Sequence, residues 1–185
     1  MRLAAVLAGV VLLAAGVGGG WLLARETEDV ETVTTTATET RTETTVESAL
    51  PEAVAETRAA LLAAAEAGDY EALRAHVGPG FSYTFGGPVE GGPIAYWREL
   101  ERTTDERPLE TLAAILDMPP ALSRGLYVWP WAYTVERAGD LSAHERDLLA
   151  PLGELETLFL PGAAYLGWRA GIEPDGTWAF FVAGD

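Results

Sequence analysis

The residue types able to do chemistry are few in this chain, and their spacing pairs none of them. There are two histidines. His76 falls at the end of a short helical pattern just before Gly78, where a cation complements the helix dipole. His144 falls in the first turn of another, beside Glu145 and Asp147, which reads as a solvated face. Far apart, and without His-x-x-x-His or Glu-x-x-His spacing, they do not make a zinc site. Of the serines in the folded part, Ser82, Ser123 and Ser142, none lies in G-x-S-x-G, and Ser142 reads as a helix cap. Cysteine is absent, which removes disulfides, thiolate metal sites, a cysteine nucleophile and a lipobox acylation site. Carboxylates abound, but Asp117, Glu136 and Asp175 merely border apolar segments, and Asp175 is most simply a turn residue. No catalytic residue, metal or cofactor is assigned on these grounds.

A row of aromatics is the better candidate for binding. Tyr127, Trp129, Trp131 and Tyr133 alternate within residues 126–135. On one face of a strand they could stack on sugar rings or grip a peptide; the alternative is that they form core against the closing hairpin. Pro130 in their midst implies an edge strand or a bulge. Tyr83 and Arg169 complete the candidate ligand-binding set. Arg169 would face Phe181 in a cation–π pair, and if buried would need a carboxylate such as Glu136 or Asp185. An isomerase-like site needs a carboxylate base and a tyrosine donor in an apolar cone. Tyr83 could line such a cone, but no carboxylate can be placed beside it.

The elements that must position these residues are partly legible. The clearest is a closing hairpin over residues 165–182. Pro174, Asp175 and Gly176 suit a three-residue turn with the glycine left-handed. That turn would pair Ile172 with Trp178, Ala170 with Phe180 and Trp168 with Val182. Leu166, Trp168, Ile172, Trp178, Phe180 and Val182 would then face the core, and Arg169, Gly171, Ala179 and Phe181 the other side. Upstream, Val54, Leu61, Leu62 and Ala65 make a helical stripe over residues 52–67. Asp69 caps a short helix over 70–77. Residues 81–85 alternate as a strand, with Phe81, Tyr83 and Phe85 on one side. Residues 94–102 and 109–116 read as helices, the latter broken by Pro119 and Pro120. Ser142 and Glu145 form a capping box that opens another helix, and 154–160 suit a short one.

Composition divides the chain into three parts. Residues 3–23 carry no charge and as a helix would span about 30 Å, a bilayer core. Arg2 precedes them and acidic residues follow Arg25, which favours an uncleaved anchor with the rest outside the cytoplasm; a cleaved signal peptide is the competing reading. Residues 26–48 hold ten threonines and seven acidic residues, too little apolar area to fold, and read as a disordered linker or stalk. Residues 49–185 form one domain. All 12 basic residues are arginine, and the net charge of −16 argues against a nucleic-acid partner.

The order of elements is α+β, with a curved antiparallel sheet packed on helices. The stretch LLAAAEAGDYEALRAHVGPGFSYTF, residues 61–85, resembles the opening of the NTF2-like (SnoaL-like) superfamily, and IAYWRELE, residues 94–101, is similar to its third helix. After residue 109 the chain departs from that pattern, so the resemblance implies an NTF2-like domain or a shortened variant of one. The ending DGTWAFFVAGD resembles the C-termini of small bacterial envelope proteins. The family hosts isomerases, dehydratases and non-catalytic binders, so the resemblance implies a fold rather than an activity. The expectation is a membrane-anchored extracytoplasmic domain of the bacterial cell envelope. It would bind an envelope protein or glycan without catalysis, the alternative being a small-molecule enzyme with an apolar cone.

Overall fold

The computed structural model describes residues 50–184. The expected anchor, the expected linker and Asp185 lie outside the described residues. Among the described residues no helix is long and apolar enough to cross a membrane.

Helix α1, Glu52–Glu66, buries Val54, Leu61, Ala64 and Ala65. Asp69 then caps α2, Tyr70–Arg74, its carboxylate accepting from the N–H groups of Glu71 and Ala72 at 3.0 Å. Helix α3, Gly92–Thr103, buries Ile94 and Trp97, and α4, Pro108–Asp117, buries Leu109, Leu112, Ile115 and Leu116. Arg58 on α1 donates to the carbonyl of Leu116 at 2.7 Å, satisfying an orphan carbonyl at the end of α4. Two short strands follow, β1 (Ala121–Ser123) and β2 (Leu126–Trp129), then a 3-10 turn over Trp131–Thr134. Helix α5, Ala143–Leu149, opens on the Ser142–Glu145 capping box, and α6 is Leu155–Leu158. Strands β3 (Arg169–Ile172) and β4 (Trp178–Val182) close the chain.

The four strands form one antiparallel sheet in the order β1-β2-β3-β4. The class is therefore α+β, as the sequence pattern implies. Two expectations are corrected, and one strand is new. The stretch 81–85 is not a strand: only Ser82 bridges, in parallel, to Phe180. The aromatic row is not an edge strand, because β2 lies between β1 and β3 and ends at Trp129. Pro130, which has no N–H to give a ladder, follows at once. And β1 was not anticipated; its turn into β2 uses Arg124 at φ 52° and Gly125 at φ 86°.

The closing hairpin has the expected turn but not the expected register throughout. Glu173 N–H donates to the carbonyl of Thr177 at 2.9 Å, and Gly176 is left-handed at φ 90°. Ile172 opposes Trp178 as the turn requires. Beyond that, Gly171 opposes Phe180, Ala170 opposes Phe181 and Arg169 opposes Val182. The ladder shifts by one residue because β4 bulges at Ala179. The carbonyl of Ala179 accepts from Ser82 N–H at 3.0 Å, while Phe181 N–H donates to Ser82 O at 2.9 Å. A bulge puts residues three apart on one face. Trp178 and Phe181 thus both enter the core, and Phe180 and Val182 go to the opposite face.

The main core gathers Trp97, Trp129, Trp178 and Phe181, all 0–2% exposed, with the apolar stripes of α1 and α4. Phe81 and Trp97 lie against Trp178, at 4.5 and 5.8 Å between ring centroids. Among the described residues, the indole N–H groups of Trp97, Trp129 and Trp178 find no hydrogen-bond partner. A second, smaller cluster holds Met118, Ala132, Leu141, Leu149, Leu158, Phe159 and Tyr165. The α1 helix is locked to the hairpin turn by Thr57, whose hydroxyl donates to Gly176 O at 2.7 Å.

On the face opposite the core, the ring of Phe180 lies directly on Gly171, where an added Cβ would collide with the edge of the ring. Substituting Gly171→Ala should therefore lower stability by about 1–3 kcal/mol, the usual range for overpacking. The shift in urea midpoint measures this, and G171A should regain part of the loss when combined with Phe180→Ala. An unchanged midpoint for G171A would show that the ring is not held there.

Candidate functional site

The six residues expected to bind a ligand do not gather on one face: Tyr83, Tyr127 and Trp129 belong to the main core, and Trp131 and Tyr133 to the second cluster. Trp129 is fully buried in the main core, and Tyr127 packs at its margin. Trp131 and Tyr133 sit on the 3-10 turn and pack on the second cluster instead. Tyr83 is 9% exposed, and its hydroxyl accepts from Val89 N–H at 2.8 Å, tying down the glycine-rich loop after it. Arg169 does meet Tyr133: its guanidinium lies 5.5 Å from that ring and 5.2 Å from the ring of Phe85. The expected partner Phe181 is on the other face, because of the bulge. The aromatic row is thus divided among two cores and a cation–π stack, and does not form one binding face.

The opening with the form of a binding site lies elsewhere. Two adjoining clefts share Glu106, Thr111 and Leu152. The outer, of about 570 Å³, runs between the α3–α4 loop, the first turns of α4 and the turn at Pro151. The inner, of about 280 Å³, runs on past Leu158 and Tyr165 to Trp168 and Gly184. Such volumes fall in or near the range of small-molecule sites.

Each wall is fixed by local chemistry. The Thr104 hydroxyl donates to Leu100 O at 2.7 Å and accepts from Glu106 N–H at 3.1 Å, which turns the loop sharply off the end of α3. Arg107 donates to Glu106 O at 2.8 Å, so this cation is folded back on its own loop. Pro108 starts α4 at a position where its missing N–H costs nothing, and Glu110 lies in that helix's first turn, where its charge suits the dipole. Opposite, Gly184 N–H donates to Leu166 O at 2.8 Å and Leu166 N–H to Leu158 O at 2.8 Å. Side chains at Gly184 or Gly167 would collide with Leu166 and with Tyr165, so these close approaches require glycine.

At the junction of the two clefts, Trp168 donates its indole Nε1–H to Glu106 Oε2 at 2.9 Å. The indole is half-buried, seated on Phe181 with centroids 4.6 Å apart and an interplanar angle of 35°. Its own carbonyl accepts from the Tyr165 hydroxyl at 3.0 Å. Trp168 is thus positioned by three neighbours. Among the described residues no group of three His, Asp or Glu comes together to hold a metal. Sequence reasoning placed Trp168 in the core and passed over Glu106, Glu110 and Thr111. The one available signal was the polar run over residues 103–107, closed by Pro108.

Burial pushes the Tyr165 hydroxyl well above the ordinary tyrosine range, an effect that nearby Arg169 only partly offsets. Tyr70 is raised likewise, by burial first and then by its hydrogen bond to Glu101 at 3.1 Å. For such a group the stability is complete below the unfolded pKa of about 10 and is lost as pH rises above it, because only the unfolded tyrosine ionises there. Stability should therefore fall from pH 10 upward. Tyr165→Phe should flatten that fall by up to about 1.4 kcal/mol per pH unit. Thermal unfolding followed from pH 8 to about pH 11.5 tests this, and an unaltered slope in Y165F would contradict it.

No family model, curated protein or solved structure matches the chain, so its function is sought in the chemistry of this groove.

Proposed function

We propose that the chain is a membrane-anchored, extracytoplasmic binding module of the bacterial cell envelope, without catalysis, whose ligand site is the groove joined at Glu106 and Trp168. The observation that carries this reading is the Trp168–Glu106 pair itself. An aromatic ring and a carboxylate are held in fixed geometry where the two clefts join. Ordering such groups beforehand removes part of the entropy cost of binding. The anchored, outward-facing placement is supported by the uncharged run over residues 3–23 and by the threonine- and glutamate-rich stretch that follows. The net charge of −16 supports a partner other than nucleic acid.

The likeness to the NTF2-like superfamily belongs to the same proposal. It is supported by the succession of α1, the Asp69 break, α2, the bridging segment at Ser82 and α3. An isomerase- or dehydratase-like enzyme would need an open apolar cone beside the sheet. The interlocking of Trp97, Trp129, Trp178 and Phe181 weighs against that alternative.

The absence of native cysteine gives a clean test. Single cysteines at exposed Ala164 (Ala164→Cys) and at the groove wall (Ala114→Cys) are labelled with a membrane-impermeant maleimide. In intact cells A164C should label without lysis. A114C should label several-fold more slowly, relative to A164C, in cells than in the purified full-length chain, because a ligand occupies the groove. Labelling of A164C only after lysis would place the domain inside. An equal ratio in cells and in solution would mean an empty groove.

A further inference from the structure

The groove also indicates what kind of molecule it takes. We infer that its ligand is an uncharged carbohydrate, seated with one pyranose ring on Trp168 and its hydroxyls bonded to Glu106, Thr111 and Glu110. The inference rests on the reading of the groove as the ligand site and adds the chemical class.

Three observations carry it. The first is the indole. Trp168 keeps part of its surface in the inner cleft although it is packed on Phe181, bonded through Nε1 to Glu106 and tied through its carbonyl to Tyr165. A tryptophan that satisfies its N–H at the surface and still leaves part of its ring in a cleft is a flat apolar platform with a polar edge. The C–H face of a pyranose ring matches it: apolar over the ring, polar around the rim. The second is the company the indole keeps. Glu106 and Glu110 offer carboxylate oxygens, which accept from hydroxyls, and Thr111 offers a hydroxyl that both donates and accepts. Mixed donors and acceptors around an aromatic floor suit a polyhydroxylated ring better than a hydrocarbon. The third is charge. The chain's net charge of −16 and the carboxylates at the cleft repel anions. Arg107, the cation in the outer cleft, is bonded to the carbonyls of Glu106 and Thr104 within its own loop. Sulfated, phosphorylated and uronic-acid sugars are therefore disfavoured. The two adjoining clefts, of about 570 and 280 Å³, offer room beyond the one ring seated on Trp168, so an oligosaccharide is expected rather than a monosaccharide.

The test is a calorimetric titration of the full-length chain in detergent with two uncharged trisaccharides, maltotriose and triacetylchitotriose, and separately with the polycation spermidine. At least one trisaccharide should bind saturably, with a dissociation constant of about 1 mM or tighter. Trp168→Phe keeps a ring on Phe181 but gives up the bond to Glu106, and should weaken binding about threefold. Trp168→Ala and Glu106→Gln should weaken it at least about tenfold, a loss of about 1.4 kcal/mol. Phe85→Ala, on the opposite face of the sheet, should leave it unchanged. The near-ultraviolet circular dichroism of W168F guards against misfolding as the cause. Failure of both trisaccharides to bind overturns the carbohydrate assignment. If spermidine alone then binds, and E106Q abolishes it, the groove remains a ligand site of a different class. If neither binds, or if the Trp168 and Glu106 variants bind as the native chain does, the reading of the groove falls too.

Discussion

The exchange of two backbone hydrogen bonds between Ser82 and β4 is the constraint on which much of the domain depends. Ser82 N–H donates to Ala179 O, and Phe181 N–H donates to Ser82 O. To meet Ser82, Ala179 leaves the β3 ladder, and the strand gains one residue. Everything after it changes sides. Phe181 rather than Phe180 enters the core, where it packs on Trp97 at 5.3 Å. Phe181 also supports Trp168, and Trp168 holds Glu106 across the groove. The outer face receives Phe180, which needs the bare backbone of Gly171 beneath it. A contact between two main-chain segments thus sets the shape of the candidate site at one remove.

This dependence also explains what could and could not be read from the chain. Features whose cause is local were legible. Asp69 and Ser142 cap helices because the side chain reaches backbone N–H groups two or three residues away. Gly176 takes a left-handed turn because its neighbours are Pro174 and Asp175. The bulge was not legible, since its cause, Ser82, lies almost a hundred residues before Ala179. Turn geometry alone correctly gave Ile172 opposite Trp178 and then failed at the next pair. The alternation of Tyr127, Trp129, Trp131 and Tyr133 was misleading for a related reason. Its period is that of a strand, yet the chain turns into a 3-10 helix at Trp131, so the four side chains enter different surroundings. The groove was invisible because Glu106 and Trp168 are 62 positions apart and neither stands in a motif.

The core shows how the domain tolerates an unusual tryptophan load. Three indole N–H groups are buried without acceptors. A buried unpaired donor ordinarily costs about 1–3 kcal/mol. Large aromatic area offsets that cost: each such side chain removes some 150–250 Å² from water, and edge-to-face ring pairs add to it. Trp97 meets Phe81 at 88° and Phe181 at 61°, both edge-to-face. Such rings favour a fixed, filled interior over a cavity, and push any recognition outward to the rim of the core, where Trp168 stands.

The backbone stitch between Gly184 and Leu166 has a practical side. Gly184 N–H bonds to Leu166 O, and both residues line the inner cleft. A fluorophore attached at either residue would stand in the wall of the groove and compete with whatever enters. Labels intended to report on this protein undisturbed belong on the side of the domain that carries Phe85.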